Sequence, residues 1–380
     1  MSDYPELIYW LALINESGLK LSLVKPIIQR WCVAEQRPLA ELFELSPLEW
    51  ETTFGVSDQE AERAIATRRK LAQQAAALKQ WQAAGIEPIT FLDARYPGRL
   101  AHTLPPARQP LILWAQNALN ILNQPGVTML GSQTPSDDSL EFIQELMTAL
   151  AAEEVGLVSG YGRGLDRATF ELMLAIENGR AVVVLPMGLS AFAKTTSKLT
   201  EAASAGQIAL LSPFAPDTAF DEKLAEARNV LIDHLALALL IPDADEASQE
   251  RGSAALDRGM PVFVSVTDTA GNRALIDRGA LLLTDAGEVI ELVQQAVIDA
   301  AFFDEPADLP EQAPDQMAIA AEAGAPLVAI PTISLQSDED YALRSEDAEP
   351  IDSDEALDIL SSGGEIPAIL RQRLEQNDDD

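Results

Sequence analysis

Two glycine-rich segments carry the side chains with the clearest chemical potential. Gly160-Tyr161-Gly162-Arg163-Gly164 sets three glycines around one arginine. Glycine lets backbone N–H groups approach an anion closely, and the arginine fork suits a phosphate. The chemistry on offer is therefore anion binding, with a purely structural turn as the plainer alternative. Gly131-Ser132-Gln133 is a second, shorter loop of the same kind. Neither is a Gly-x-Gly-x-x-Gly dinucleotide fingerprint with an acidic residue about 20 positions on, and no Gly-Lys-Ser/Thr phosphate loop occurs. Catalytic groups are sparse. The one cysteine, Cys32, and two distant histidines, His102 and His234, exclude an internal disulfide and the usual zinc sets. Cys32 after Trp31 reads as core, and His234 beside Asp233 as a helix-terminal or surface histidine. Asp166, just past the glycine loop, suits the positive end of a helix and reads as a cap. No enzyme chemistry, metal or cofactor is expected.

These loops need elements to hold them. Apolar runs at 127–130, 157–158, 181–185, 208–211, 235–241, 261–266 and 280–283 alternate with helix-length segments. That alternation predicts an α/β fold of Rossmann-like type, a doubly wound and mostly parallel sheet. A strand–loop–helix unit places Gly131 at a strand end and a helix over 138–153, capped by Ser136 or Asp137. A second helix runs from the glycine loop to about Asn178, with Gly179 as its stop. Residues 4–80 read as helical, with a start at Ser46-Pro47 and Glu49. Short extended runs at 86–91 and 111–114 follow. The organisation expected is a helical N-terminal domain (1–80), a Rossmann-like core (81–303) and a tail (304–380).

The chain has 380 residues with a net charge of −34. Residues 304–380 hold 21 acidic and 3 basic side chains, a net of −18, which leaves −16 for residues 1–303. The tail reads as acidic and largely disordered. No apolar run approaches the roughly 18 residues of a membrane-spanning helix, and no signal peptide is apparent. A cytoplasmic protein without membrane contact is expected. An acidic core also weighs against ordinary phosphate-backbone binding, which relies on a basic face.

Six segments in order resemble the DNA-processing protein A (Smf) family. Ser159-Gly160-Tyr161-Gly162-Arg163-Gly164-Leu165-Asp166 is similar to its Ser-Gly-x-Ala-Arg-Gly-Ile-Asp. Asp93 to Leu100 is similar to its Asp-x-x-Tyr-Pro-x-x-Leu, and Pro105-Pro106 before 111–114 to its Pro-Pro and apolar run. Leu185-Pro186-Met187-Gly188-Leu189 resembles Leu-Gly-x-Gly-Leu, and Arg228-Asn229-Val230 stands where the family has Arg-Asn-Arg. The stretch 271–280 resembles Gly-x-Asn-x-Leu-Ile-x-x-Gly-Ala, with Asn272 one place early. The resemblance implies a core that binds single-stranded DNA without catalysis, forms a homodimer and assists a RecA-type recombinase. It implies DNA or phosphate contacts at Gly131, Ser132, Gln133, Ser159, Gly160, Arg163, Gly164, Lys194, Arg228, Asn229 and Ser248.

Several groove positions depart from the family pattern. Its Gly-Thr/Ser-Arg is Gly131-Ser132-Gln133, and the second arginine of Arg-Asn-Arg is Val230. Its Tyr-Pro is Ala193-Lys194, which restores one charge, while its Ser-Gly-Ser is Glu246-Ala247-Ser248. Its Val-Pro-Gly turn is Val264-Ser265-Val266, and the acidic tail stands in place of a winged-helix-like domain. Two other readings stay open: a sensor of a nucleotide-derived small ligand, and a scaffold that has lost DNA binding.

Overall fold

The computed structural model describes residues 5–132, 137–192, 199, 202–203, 205–266 and 269–303. The acidic tail expected at 304–380 lies outside them. The chain divides into two units, one of Met1–Asp93 with Leu104–Leu113, the other of Ala94–Thr103 with the described residues from Trp114 onward.

The first unit holds six α-helices among its described residues: α1 (Glu6–Glu16), α2 (Leu21–Ile28), α3 (Leu39–Leu42), α4 (Pro47–Phe54), α5 (Asp58–Ala66) and α6 (Leu71–Ala83). Strand β1 (Ile86–Thr90) follows. Ser46 starts α4 as expected: its hydroxyl accepts from the Glu49 amide while the Glu49 carboxylate accepts from the Ser46 amide. Ser57 and Glu60 repeat this reciprocal cap on α5. Gly55 ends α4 at φ +68°, where a left-handed residue closes the helix. Trp10, Trp31, Phe43 and Trp50 are buried within the bundle. Cys32 is only half-buried, and burial with the nearby Glu6 charge pushes its thiol up to about 11. Lys25 is a buried cation. Its Nζ donates to the Pro106 carbonyl at 3.0 Å and to Gln109 Oε1, and it lies 5.1 Å from the Phe91 ring centre. Burial lowers its pKa.

In the second unit the strands are β2 (Ile112–Asn117, which begins in the first unit), β3 (Gly126–Met129), β4 (Gly156–Ser159), β5 (Ala181–Val184), β6 (Ile208–Ser212), β7 (Leu239–Ile241), β8 (Val262–Val264) and β9 (Leu281–Leu282). The nine strands run in the order β1-β2-β6-β5-β4-β3-β7-β8-β9. From β6 to β9 every pairing is parallel, and β2 joins β6 antiparallel. The mostly parallel sheet read from the sequence is therefore present. β3 to β8 are apolar and almost wholly buried, as strands covered on both faces must be. The helices are α7 (Gly98–Thr103), α8 (Asp137–Ala152), α9 (Leu165–Ala175), α10 (Leu189–Phe192), α11 (Glu222–Leu235), α12 (Glu246–Asp257), α13 (Ala270–Asp277) and α14 (Ala286–Phe303).

Three local expectations change. Helix α9 stops at Ala175, not near Asn178, because Ile176 turns extended at φ −87°, ψ 135°. A side chain on Gly179 would collide with the Met173 carbonyl, so this glycine permits a tight return beneath the helix end. Residues 235–238 are not strand, since α11 continues through Leu235 and Ala236 leaves it in extended form. His234 ends that helix but is buried, not surface-lying. Its Nδ1 is 3.0 Å from Thr103 Oγ1 on α7.

Candidate nucleic-acid interface

Strands β4, β5 and β6 lie to one side of β3, and β7, β8 and β9 to the other. The strand order reverses between β3 and β7, and in open parallel sheets ligands bind at the carboxyl ends of strands beside such a reversal. Both glycine loops arrive there. Gly131 follows β3 at φ +152°, and a Cβ on it would come within 2.9 Å of Leu165 Cδ2 and 3.0 Å of the Asp243 carbonyl. The Ser132 carbonyl accepts from the Leu165 amide at 3.2 Å, which ties the β3 loop to the start of α9.

The second loop joins β4 to α9 and is wrapped around one carboxylate. Asp166 accepts from Ser159 Oγ at 2.6 Å, from the Gly160 amide at 3.1 Å and from the Gly162 amide at 2.8 Å. Ser159 Oγ in turn accepts from the Tyr161 amide at 2.9 Å, holding Tyr161 at φ +55°. Asp166 lies in the first turn of α9 but does not cap it as expected: Gly164 is the N-cap residue and no side chain bonds the first helical amides. It braces the loop instead, so two of the amides that glycine spacing offers to a phosphate are already satisfied. Arg163 is half-buried in the loop with its Nε enclosed, between Gly162 and Gly164, the latter at φ +67°.

Arg228 supports the loop from below. It is buried on α11, and its Nη1 donates to the Gly160 carbonyl and, at 3.0 Å, to the Val184 carbonyl at the end of β5. A Cβ on Gly160 would collide with Nη1 and lie 2.7 Å from Cζ, so arginine and glycine require each other. Burial lowers the Arg228 pKa to about 10, while the charge of Asp166 holds it up. The guanidinium stays charged at neutral pH, but the phosphate contact expected of it is displaced by its two carbonyl bonds. Its neighbours Asn229 and Val230 are half-buried on the same helix.

Ser248 is likewise spoken for. It is buried, its Oγ donates to Asp245 Oδ1 at 2.5 Å and accepts from the Asp245 amide at 2.9 Å, and the pair caps α12. Glu246 beside it is exposed. Asn272 is buried where the loops after β7 and β8 meet. Its Oδ1 accepts from the Ala244 amide at 2.9 Å, and its Nδ2 donates to the Pro242 carbonyl at 2.8 Å and the Ser265 carbonyl at 3.2 Å. Gln133 and Lys194 lie outside the described residues. Ser159, Gly160, Arg163, Gly164 and Arg228 thus come together as one loop assembly, with Gly131 and Ser132 against its helix, whereas Ser248 serves a separate cap.

Sequence reasoning missed Arg167. Its guanidinium lies 3.6 Å from the Tyr161 ring centre, and its Nη2 donates to the Tyr161 carbonyl at 3.2 Å. The available signal was a second arginine four residues after Arg163, in the first turn of the following helix. Among the described residues no three His, Cys, Asp or Glu side chains gather as metal ligands would, and no helix is long and apolar enough to cross a membrane.

Residues 87–294 match the sequence model of the family described as DNA recombination-mediator protein A. The chain belongs to that family. The membership expected from the six segments is borne out over more than half of the sequence. The chain is 27% identical over 213 residues to the DNA processing protein DprA of Streptococcus pneumoniae, a match covering 53% of this chain and 72% of that protein. It is 26% identical over 244 residues to protein Smf of Synechocystis, covering 63% of this chain and 59% of that relative. The X-ray structure of the Streptococcus pneumoniae DprA superposes with a TM-score of 0.58 at 21% identity, over 75% of this chain and 97% of that one. The family's fold is therefore shared as well as its sequence signature.

Proposed function

We propose that this recombination-mediator family member binds single-stranded DNA at the carboxyl ends of β3, β4 and β7. It does so as a homodimer that protects incoming DNA and assists a RecA-type recombinase, with no catalysis of its own. The observation that carries the reading is the family match across 87–294. The geometry supports it with a loop that is fixed by Asp166 and Arg228 and carries Arg163, with Gly131, Ser132 and Gly164 beside it. Gln133, Lys194 and Asn229 complete the contact set, while Arg228 and Ser248 act as supports. Single-strand binding needs cations along the backbone, so each contact adds its share to the salt dependence. The acidic tail competes with DNA for this site.

The test is a fluorescence-anisotropy titration of labelled ~20-nucleotide oligo-dT, a length that spans more than one groove. The full chain, a form ending at Phe303 and Arg163→Ala are compared at low and physiological salt. The expected result is binding at low salt, stronger without the tail and weaker in Arg163→Ala. Absence of binding by either form at low salt overturns the reading. A second reading is favoured by the commitment of the Gly160 and Gly162 amides to Asp166, which suits a ligand less charged than a DNA strand. In that case a nucleotide-derived small molecule raises the melting temperature while oligo-dT does not.

A further inference from the structure

We propose that Arg167 is a second phosphate contact for single-stranded DNA, held ready over the ring of Tyr161 beside the β4–α9 loop that carries Arg163. The inference rests on the DNA-binding reading and deepens it. Arg167 falls just outside the eight-residue motif shared with the family, so nothing in that motif assigns it a role.

The geometry argues for a cation kept in reserve. A guanidinium carries five N–H donors. Arg167 uses one, from Nη2 to the Tyr161 carbonyl, while its Nε is buried without a partner among the described residues. No carboxylate there pairs with it. The nearest acid in sequence, Asp166, is occupied by one hydroxyl and two amides of the loop, and its charge is offset by buried Arg228.

The Tyr161 ring is itself fixed. It is buried, and it meets Phe170 and Phe192 edge-on at 5.1 and 6.3 Å. A guanidinium stacked on an immobile ring has lost much of its rotamer freedom before any ligand arrives, so less is lost when a phosphate binds. A structural role alone leaves most of those donors idle in a half-buried position, where an uncompensated charge is costly. A phosphate oxygen at the loop mouth supplies the missing partner. Such a contact also replaces charge that the groove lacks at Gln133 and Val230.

The experiment measures oligo-dT affinity of the full chain across a salt series for wild type, Arg167→Gln and Arg167→Lys. Losing one phosphate contact should make the log–log salt slope shallower by about 0.7. Affinity at low salt should fall on the order of tenfold, as for a charge-assisted hydrogen bond. Arg167→Lys keeps the charge, so its slope should match wild type while its affinity falls between the two. Wild-type binding with an unchanged slope in Arg167→Gln overturns the inference and leaves the DNA reading standing. A lysine variant as shallow and weak as the glutamine variant also overturns it, because the loss then follows from the disturbed ring. Failure of wild type to bind at low salt removes the DNA reading, and this inference with it.

Discussion

Residue type alone does not separate the side chains that burial removes at the β4–α9 loop from those it leaves partly exposed. Arg163 and Arg228 look equivalent in sequence, yet one is half-buried in the loop and the other is buried on the helix that holds it. The difference is set by which face of α11 packs on the sheet and by the bare Cα of Gly160, neither of which a motif records. The salt dependence distinguishes the two roles. Arg228→Lys cannot reach both carbonyls, so oligo-dT affinity should drop while the salt slope stays at the wild-type value; Arg163→Ala should lower both. A direct phosphate contact by Arg228 would instead show as a shallower slope. Gly160→Ala should expel the Arg228 guanidinium and destabilise the fold by about 2–3 kcal/mol, read by urea unfolding. Ser248 teaches a similar lesson. Its hydroxyl suits a phosphate as well as a cap, and only the adjacent Asp245 at a helix start decides between them.

At the scale of elements, what the sequence makes legible is what local chemistry decides. Runs of β-branched and apolar residues mark β3 to β8, and Ser46-Pro47 with Glu49 marks the start of α4. What stays hidden are ends set by tertiary packing: α9 stops early because the chain folds back under it at Gly179, and α11 runs on into what reads as strand. The two reciprocal caps predict acid sensitivity. Bonds from Ser46 hold the Glu49 carboxyl below its usual range, and bonds from Ser57 do the same for Glu60. A depressed carboxyl contributes stability above its unfolded pKa, and that stability is lost as pH falls through the lower folded value. Helicity of the first unit should therefore decline on acidification through the carboxylate range. In Ser57→Ala, which costs about 1 kcal/mol at neutral pH, that decline should be smaller by circular dichroism. Asn272→Ala removes a side chain shared by the loops after β7 and β8, leaving the Ala244 amide unpaired. We expect a loss of about 2–3 kcal/mol in urea unfolding.

For the molecule as a whole, charge sets the conditions under which binding is seen. Residues 1–303 carry a net of −16, so the arginines of the loop work against the field of the protein around them. DNA affinity should depend steeply on salt and be weak at physiological ionic strength unless valence adds to it. The proposed homodimer would place two loop assemblies on one strand and multiply a weak contact. Light scattering of the purified 41.0 kDa chain should accordingly give twice the chain mass. A monomer at micromolar concentration would sink that part of the reading. The parallel sheet and the family were legible from six short segments because most of them adjoin a strand, where backbone geometry tolerates few residue types, while Arg228-Asn229-Val230 and 271–280 lie on α11 and α13. The fine electrostatics of the groove were not, because charge at a surface depends on which side chains burial removes.

Lys25 gives this protein an internal chemical clock. Its amine is sealed between the Pro106 carbonyl, the Gln109 side chain and the face of Phe91, whereas Lys70 and other lysines of the same unit stand in water. In a pulse of an amine-acylating reagent, the exposed lysines should be modified at once and Lys25 only when the unit opens. Its rate of modification, followed by peptide mass spectrometry, would then time the breathing of the helical unit without any engineered label.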